Sequence, residues 1–375
     1  MEHIAIDLGS RESQLCIRSA QNEVLLERRV ATRSLRSALK KRPPSRVVLE
    51  TSAEAFAVAD IAMACGHEVR VVPATLVRAL GVGARGLKTD VRDSRVLSEA
   101  SVRMDLPSVH VPSQPSRELK ALCSARESLV HARTKLINNT RGFLRTQTIT
   151  LRPGSGESFT RRVRARHVVS TAPAPPPTQA PATKRRSPRA AAPNAASDTT
   201  PPLPPFVRAM LEAIDALSAQ IAALDAQLTA LVASHAVCQR LMTIPGVGPI
   251  CAARFAAAID RVDRFPDAAT LQSYLGLVPG EQQSGMTQRR TRLIKRGQPQ
   301  VRWALVQSAW CLYRTRKADP MVQWALGVEQ RRGRRIAIVA LARKLASVLF
   351  ALWRDGTEYT LGGVHASTAQ EGATT

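Results

Sequence analysis

The sequence predicts an α/β N-terminal domain, a middle region of long coiled-coil helices, and a mainly α C-terminal domain with a helix-hairpin-helix-like turn. Three observations support this division. Short apolar runs alternate with helical patterns over the first hundred residues. Leucines recur at heptad spacing in two later stretches. After residue 237, helical patterns rich in alanine and leucine dominate, and a Pro-Gly-Val-Gly turn at 245–248 precedes one of them.

The N-terminal domain is predicted from the order of its apolar segments. A first strand lies in residues 3–10 and forms a three-strand meander with the next two; a helix, a strand, a helix and a strand follow. The predicted strands are 3–10, 13–18, 23–30, 46–50 and 67–72, and the predicted helices are 35–41 and 53–65. This order is typical of an α/β domain. A glycine-rich segment at 81–86 then leads into a further helix.

Four acidic residues stand at the ends of these elements. Asp7 and Glu50 each end a strand, and Asp90 and Asp93 are three residues apart on the helix. Helical spacing places the last two on one face, with Cβ atoms about 5–6 Å apart. If the strands are neighbours, all four carboxylates converge, and hard oxygen ligands suit Mg²⁺ or Mn²⁺. Each acid alone is explained as a strand-end cap or a surface charge, but the four together indicate a two-metal phosphodiester site.

The middle region contains two long helical patterns at 116–144 and 206–232. They are expected to pair as an antiparallel hairpin within the chain or to join subunits. Arg126, Arg133 and Arg141 lie along the first pattern and are predicted to contact nucleic acid. The Pro- and Arg-rich segment between the helices cannot form a packed core, so we expect a disordered insert there. Its two basic runs are explained equally well by nucleic-acid contact and by solvation alone.

In the C-terminal domain, backbone N–H groups around Gly246 and Gly248 are expected to form an anion site at a helix N-terminus. A tight turn between helices is the alternative. Further nucleic-acid contacts are predicted at Lys88 and in a dense basic run, namely Arg289, Arg290, Arg292, Lys295 and Arg296. The predicted domain boundaries are 1–104, 105–150 with 206–236, the insert 151–205, 237–360, and a disordered tail 361–375.

Composition restricts the function classes. Lys and Arg number 54 against 29 Asp and Glu, a formal charge of +25, which indicates a polyanionic partner rather than a small metabolite. The six cysteines are scattered without a CxxC motif, which argues against zinc and favours a reducing compartment. No signal pattern or run of about 18 apolar residues is evident, so no membrane is expected. Aromatics are only 4%, which argues against base stacking as the main binding mode.

Motifs along the chain resemble DEDD-type insertion-sequence transposases. They occur in the same order as in that family and cover nearly the whole chain, except the insert and the tail. They are Ile-Asp-x-Gly at 6–9, Leu-Glu-Thr-Ser at 49–52, Lys-Thr-Asp-x-x-Asp at 88–93, Arg-x-x-Leu-Val-x-x-Arg-Thr-Lys-Leu-x-Asn at 126–138, Ile-Pro-Gly-Val-Gly-Pro at 244–249, Tyr-Leu-Gly-Leu-Val-Pro at 274–279, Ser-Gly at 284–285, Lys-Arg-Gly at 295–297 and Ala-Leu-Ala-Arg-Lys-Leu-Ala at 340–346.

The resemblance implies a RuvC-like, RNase H-like N-terminal fold whose acidic tetrad (Asp7, Glu50, Asp90 and Asp93) holds Mg²⁺. It also implies a nucleophilic serine at Ser284. Family members are site-specific recombinases that use a structured bridge RNA to pair with donor and target DNA, and they act as homo-oligomers up to tetramers. The expected location is cytoplasmic, on the nucleoid. The insert is longer and richer in Pro and Arg than the family pattern, which leaves its position relative to the RNA open.

Other functions fit parts of the sequence. A RuvC-like nuclease or Holliday-junction resolvase would use the same acids for metal-dependent hydrolysis and leave Ser284 as a turn residue. An actin-like ATPase or sugar kinase would explain the opening Asp-x-Gly, but the sequence has no clear second phosphate loop and this class leaves the charge of +25 unexplained. A non-enzymatic nucleic-acid binder would explain the charge and leave the four acids without a role.

Overall fold

The computed structural model describes residues 1–79, 90–171, 203–284, 287–294, 297–360 and 363–365. For residues 79, 90, 167–171, 281–284, 287–292 and 363–365 it describes the backbone alone. The chain divides into two compact units, Met1–Gln114 and Pro115–Thr375. The first boundary lies about ten residues beyond the predicted 104, and the finer division of the second unit stays a prediction.

The first unit is a mixed sheet with helices on both faces. Its strands are β1 (His3–Asp7), β2 (Glu12–Arg18), β3 (Val24–Ala31), β4 (Arg46–Glu50) and β5 (Glu68–Val72). Its helices are α1 (Leu35–Lys40), α2 (Ala55–Ala64), α3 (Ala74–Ala79) and α4 (Asp90–Arg103). The strand order is β3-β2-β1-β4-β5, with β1, β4 and β5 parallel. The predicted α/β fold is confirmed, and the sheet is compatible with an RNase H-like domain.

The core of this unit has two layers, one on each face of the sheet, because successive side chains of a strand point to opposite faces. Ile4 and Ile6 of β1 pack with residues of α1 and α2. Ala5, on the opposite face, packs with Val48 of β4 and with Leu97 of α4. Both layers are almost fully excluded from solvent, so the sheet has a helix-covered core on each side.

The second unit is mostly helical. Its helices are α5 (Gln114–Thr146), α6 (Phe159–Thr171), α7 (Pro205–Ser234), α8 (Ala236–Leu241), α9 (Pro249–Ile259), α10 (Ala268–Tyr274), α11 (Pro299–Thr315), α12 (Pro320–Arg332) and α13 (Arg334–Asp355). Two short hairpins complete it, β6 (Pro279–Ser284) with β7 (Thr287–Leu293) and β8 (Glu358–Thr360) with β9 (Gly363–His365). Most of its helices share one large core.

Helices α5 and α7 pair with each other as an antiparallel hairpin. Arg126 Nε of α5 lies 2.5 Å from Asp225 Oδ1 of α7. One heptad further along α5, Arg133 donates to Ser218 Oγ at 3.4 Å, and near the far end Phe143 meets Phe206 edge-on at 4.9 Å. Residue numbers rise on one helix as they fall on the other, so these two helices of the chain run antiparallel. The intramolecular alternative is therefore the one observed.

The buried positions of the hairpin differ in part from the predicted heptads. On α5 the buried stripe contains Leu119, Cys123, Ile137 and Leu144. The residues predicted at heptad spacing are half-buried, namely Leu122, Leu129, Leu136 and Phe143. On α7 alternate members of the predicted seam are buried, but Leu231 is 52% exposed.

The predicted disordered insert is wrong for its first part. Helix α6 occupies Phe159–Thr171. Phe159 and Val163, four residues apart, are fully buried against Leu144 and Val207 of the hairpin. One helical turn thus supplies enough apolar surface to dock despite the neighbouring arginines, and Arg164 pairs with Asp215 of α7 at 2.8 Å. Residues 172–202 and most of the predicted tail lie outside the described residues.

Two further elements of the second unit were not predicted. Helix α12 begins where Asp319 accepts a hydrogen bond from the Met321 backbone N–H at 2.8 Å, with Pro320 in the first turn. An Asp-Pro pair is typical of a helix N-terminus, so this helix could have been predicted from the sequence. The β6–β7 hairpin contains Arg289, Arg290 and Arg292 of the dense basic run, where charge alone gives no strand signal.

Among the described residues, two helices are long and apolar enough to cross a membrane, α7 and α13. The expectation that the sequence contains no stretch long and apolar enough to cross a membrane is therefore wrong. Helix α7 pairs with α5 through polar as well as apolar contacts, and half of the most apolar stretch of α13 is buried in the core. Because core helices pass the same test of length and composition, these two helices do not indicate a membrane protein.

The six cysteines give a direct test of this fold. Cys16, Cys123, Cys238 and Cys251 are buried, whereas Cys311 is exposed. Burial raises the pKa of Cys238 to about 12 and that of Cys251 to about 11, so both thiols are protonated at neutral pH. At pH 8 we expect Cys311 to react first with a maleimide and the four buried thiols to react only in denaturant. Mass mapping of labelled peptides measures this; early labelling of Cys238 would contradict the fold.

Candidate active site

Asp7 is the last residue of β1, the central strand of the sheet, and its side chain is half-buried. The chain turns sharply after it. A Cβ added at Gly9 would lie 2.2 Å from the Glu12 backbone oxygen, so only glycine allows β2 to begin so soon. Thr32 Oγ1 donates to the Gly9 carbonyl at 2.7 Å and holds the turn. The Asp-x-Gly motif therefore ends a central strand and returns the chain at once.

Glu50 ends β4, the parallel neighbour of β1. The register pairs Ala5 with Val48 and Ile6 with Leu49, so Asp7 and Glu50 are the next residues on each strand. Residues in register on parallel neighbours lie on the same face of the sheet, here the face of Ala5 and Val48. The Thr51 hydroxyl accepts from the Ala74 backbone N–H at 3.1 Å, which ties the end of β4 to the start of α3.

Helix α4 packs on this same face and runs antiparallel to β1. Near its C-terminal end, Ser101 Oγ lies 2.8 Å from His3 Nδ1 at the start of β1. One turn earlier, Ser98 Oγ donates to Cys16 Sγ at 3.2 Å, and Cys16 pairs with Ala5. From Ser101 back to Asp93 the helix rises about 12 Å. From His3 to Asp7 the strand advances about 13 Å, which brings the two acids to the same level.

Asp93 is 5% exposed and lies on the stripe of α4 that faces the sheet, four residues before Leu97. The backbone of Asp90 begins the helix one turn earlier, and its side chain is outside the described residues. Within the described residues, no group of three His, Cys, Asp or Glu side chains is already arranged around a metal position. The donor set nevertheless fits a hard divalent cation, since every donor is a carboxylate at one end of the sheet.

Small polar residues that orient α4 were not predicted from the sequence. Ser94, Ser98 and Ser101 are buried on one side of the helix, and His3 and Arg18 of the sheet bond to two of them. The available signal was serine at helical spacing directly after the acidic pair. These contacts hold α4 in one register on the sheet. They thereby fix the position of Asp93 along the strands.

Ser284 is the last residue of β6, paired with Thr287 across a tight hairpin. Of the basic run, Arg289, Arg290 and Arg292 belong to β7, with Arg289 opposite Gln282 and Arg290 opposite Glu281. Their side chains lie outside the described part of the structure, as do Lys88, Lys295 and Arg296 entirely. Their predicted contacts with nucleic acid stay predictions.

The three arginines predicted as nucleic-acid contacts on α5 have partners within the chain. Arg126 pairs with Asp225, and the Arg133 side chain is only 10% exposed beside Glu157. Arg141 lies over the Phe159 ring at 5.6 Å. These side chains therefore face α6 and α7, because heptad spacing places Arg126 and Arg133 on the face that the hairpin covers. Their predicted contacts with nucleic acid stay predictions.

The two predicted anion-site glycines differ in their surroundings. Gly246 has φ +88°, and a Cβ there would lie 3.0 Å from the Ser308 oxygen of α11. Gly248 caps α9, is exposed, and has no atom within 4 Å of an added Cβ. Gly246 therefore allows the turn before α9 to lie close to α11, as the alternative interpretation held. Anion binding at the open N-terminus of α9, at Gly248, stays a prediction.

This contrast defines a matched pair of variants. Gly246→Ala is expected to lower the free energy of unfolding by about 1–3 kcal/mol, because alanine at positive φ is strained and its Cβ crowds α11. Gly248→Ala is expected to change it by less than about 1 kcal/mol. Urea unfolding of both full-length variants measures the difference; equal stabilities would contradict the close approach at Gly246.

Comparison with known proteins places this geometry in a family. A DEDD-type IS110 transposase model matches residues 4–148, from β1 to the end of α5. A second model, described as the transposase IS116/IS110/IS902 family, matches residues 238–323, which include α9 and the β6–β7 hairpin. The two matches lie on either side of α6 and α7.

Full-length relatives agree with both models. A probable family 20 transposase of Pseudomonas aeruginosa is 29% identical over 96% of this chain and 99% of its own length. The transposase for insertion sequence element IS1111A of Coxiella burnetii is 25% identical over 96% of this chain and 91% of its own. The transposase for IS1328 of Yersinia enterocolitica is 25% identical over 95% and 98%.

Proposed function

Because the chain belongs to the DEDD-type IS110 family of insertion-sequence transposases, we propose that it exchanges DNA strands through a carboxylate-held metal site and a covalent Ser284–DNA intermediate. The observation that carries the proposal is the strand-end geometry of the first unit. Asp7 and Glu50 end adjacent parallel strands on the face where α4 packs, and Asp93 is buried at the same level. A formal charge of +25 suits a DNA substrate.

Four carboxylates would hold the divalent cation, Mg²⁺ or Mn²⁺: Asp7, Glu50, Asp90 and Asp93. When bound, such ions supply Lewis-acid stabilisation of charge on attacking and leaving oxygens. The protein contributes the fixed positions of these acids: Gly9 sets the turn after Asp7, and buried serines set the register of α4. Family membership implies the use of a divalent metal in general, and the choice of ion belongs to the proposal.

In the proposed chemistry the Ser284 hydroxyl oxygen attacks the phosphorus of the scissile phosphodiester. An Oγ–P bond forms, the bond from phosphorus to the leaving sugar oxygen breaks, and the seryl proton is passed to that oxygen. A hydroxyl of the incoming strand then attacks the same phosphorus: a new O–P bond forms, the Oγ–P bond breaks, and the proton of the attacking hydroxyl passes to Ser284 Oγ. One phosphodiester bond is kept throughout, so no separate energy source is needed. Arginines of β7 would hold the backbone phosphates beside the reacting group.

We further propose that a structured RNA guides the enzyme to donor and target DNA, that it acts as a homo-oligomer, dimer or tetramer, and that it works on the nucleoid in the cytoplasm. The RNA would come from non-coding sequence beside the gene. Base pairing would then supply the sequence specificity that backbone contacts from the protein do not.

A reconstituted reaction tests this function. Purified protein, RNA transcribed from the flanking non-coding DNA, donor plasmid and target plasmid are combined with Mg²⁺, and junction products are amplified. We expect products only when all components are present, and none in EDTA. Hydrolysed ends without junctions, independent of RNA, would instead identify a RuvC-like nuclease or Holliday-junction resolvase.

A further inference from the structure

A surface cleft in the second unit has the composition of an anion site. It is open to solvent and lies between α5, α9 and the start of α11. Its lining residues are Lys120, Cys123, Ser124, Arg254, Ala257, Ala258, Gln298, Gln300 and Val301. Gln298 caps α11, a helix of 17 residues, without a side-chain hydrogen bond to its first turn. The first N–H groups of a helix carry partial positive charge and lack partners within the helix, so this wall of the cleft attracts anions.

The second observation is a buried guanidinium in the wall of the cleft. Arg254 is 4% exposed, and within the described part of the chain its Nε and Nη1 atoms have no hydrogen-bond partner. Its Nη2 pairs with Glu127, whose other oxygen lies 3.1 Å from His131. Leaving buried charged donors without acceptors is costly. A ligand oxygen entering the cleft would supply the missing acceptor.

A half-exposed indole lies over this guanidinium. The Trp303 ring centroid is 5.5 Å from the Arg254 guanidinium carbon, and the side chain is 53% exposed. The indole lies within cation–π distance of the Arg254 guanidinium, so its fluorescence should respond to an anion that binds there. Because the indole is exposed beside Arg254, an unstacked base can lie against it.

We propose that this cleft binds one phosphodiester group of single-stranded nucleic acid, held by Arg254, Lys120 and the N-terminus of α11, with the adjacent base on Trp303. One phosphate group offers the several acceptor oxygens that two guanidinium N–H groups, an ammonium and helix N–H groups require. This inference goes beyond the proposed function, because binding here needs neither the carboxylates of the first unit nor Ser284.

Inorganic phosphate is the first probe, added to full-length protein in place of chloride at equal ionic strength. At ten times its dissociation constant, phosphate is expected to raise the unfolding temperature by about 3 °C and to change the tryptophan fluorescence. Trp303→Phe should remove most of the fluorescence change. Lys120→Ala should remove most of the stabilisation, whereas Lys135→Ala, on the same helix about 22 Å away, should keep it. No stabilisation of the wild type, or equal losses in the two lysine variants, would overturn the proposal.

Glu127→Gln provides the opposite test. The change keeps the shape of the side chain but removes the charge that competes for Arg254, so the variant should be less stable in chloride and gain more from phosphate than the wild type. A gain no larger than that of the wild type would contradict the site. The Glu127→Gln variant also leaves Arg254 in place. Replacing Arg254 would leave Glu127 without its partner and risk unfolding.

The second probe is pentathymidylate, which separates backbone phosphodiesters from free phosphate. Lys120→Ala should weaken its binding about 3- to 10-fold and reduce the slope of log affinity against log salt by about 0.7, the value for one contact on a single strand. An unchanged slope together with phosphate stabilisation would assign the cleft to free phosphate and overturn the nucleic-acid assignment. Asp7→Asn should bind both probes like the wild type, so failure of this site and failure of the strand-exchange proposal are distinguishable.

Discussion

Asp7→Asn is expected to reduce strand cleavage by about 10³-fold or more. Asparagine keeps the size of the side chain at the end of β1 but lacks the negative charge that a divalent cation requires. Loss of metal-stabilised charge in the transition state corresponds to several kcal/mol, and each 1.36 kcal/mol is tenfold in rate. Gel analysis of a labelled DNA substrate, incubated with saturating RNA and Mg²⁺, measures cleavage.

Binding separates a catalytic loss from misfolding. Asp7 is half-buried, so the Asn variant should keep the affinity of the wild type for DNA and RNA within about twofold and should unfold at a similar temperature. Glu23→Gln, which removes an exposed carboxylate at the β2–β3 turn, serves as the matched control and should cleave normally. Full cleavage by Asp7→Asn would refute the carboxylate site.

Ser284→Ala is expected to abolish the covalent protein–DNA complex and to reduce recombination to background. Alanine removes the only oxygen that the proposed intermediate can use, at the last position of β6, while a two-stranded hairpin tolerates the smaller side chain. Denaturing gels of reactions with end-labelled DNA detect the complex as a band of reduced mobility. Mass spectrometry of the wild-type complex should find the phosphodiester on Ser284.

Ser273→Ala is the control for this variant. Ser273 is an exposed serine on α10 in the same unit, and its loss should leave both the covalent complex and recombination unchanged. Normal recombination by Ser284→Ala would disprove the serine intermediate, because the strands would then be joined without Ser284. The Asp7 and Ser284 results are independent, because a hydrolytic nuclease would lose activity only in the first.

Several features of the site were accessible from sequence because they depend on local patterns. Acids at the ends of apolar runs predicted Asp7 and Glu50 at strand ends, and the strands are where the alternation placed them. Helical spacing placed Asp93 on the inward stripe of α4. The glycine after Asp7 was visible as a motif, although its close approach to the Glu12 carbonyl was not.

Features that depend on which surfaces meet were predicted poorly. Only the structure shows that Arg126 and Arg133 pair with residues of α7, and their contact with nucleic acid stays a prediction. Gly246 lies in a sequence typical of an anion-binding loop, whereas in the structure it lies in close contact with α11. Arg254 carries no motif at all, since its burial and its unsatisfied nitrogens arise only when α5, α9 and α11 come together.

By itself the sequence determined the α/β class of the first unit, the polyanionic partner and the family, because periodicity, net charge and ordered motifs are properties of the linear chain. Only the tertiary structure decided that α4 packs on the face of the sheet bearing Asp7 and Glu50, that α5 and α7 pair within one chain, and that α6 is folded. Packing selects one among several surfaces that share the same local pattern, and that selection depends on residues far apart in sequence.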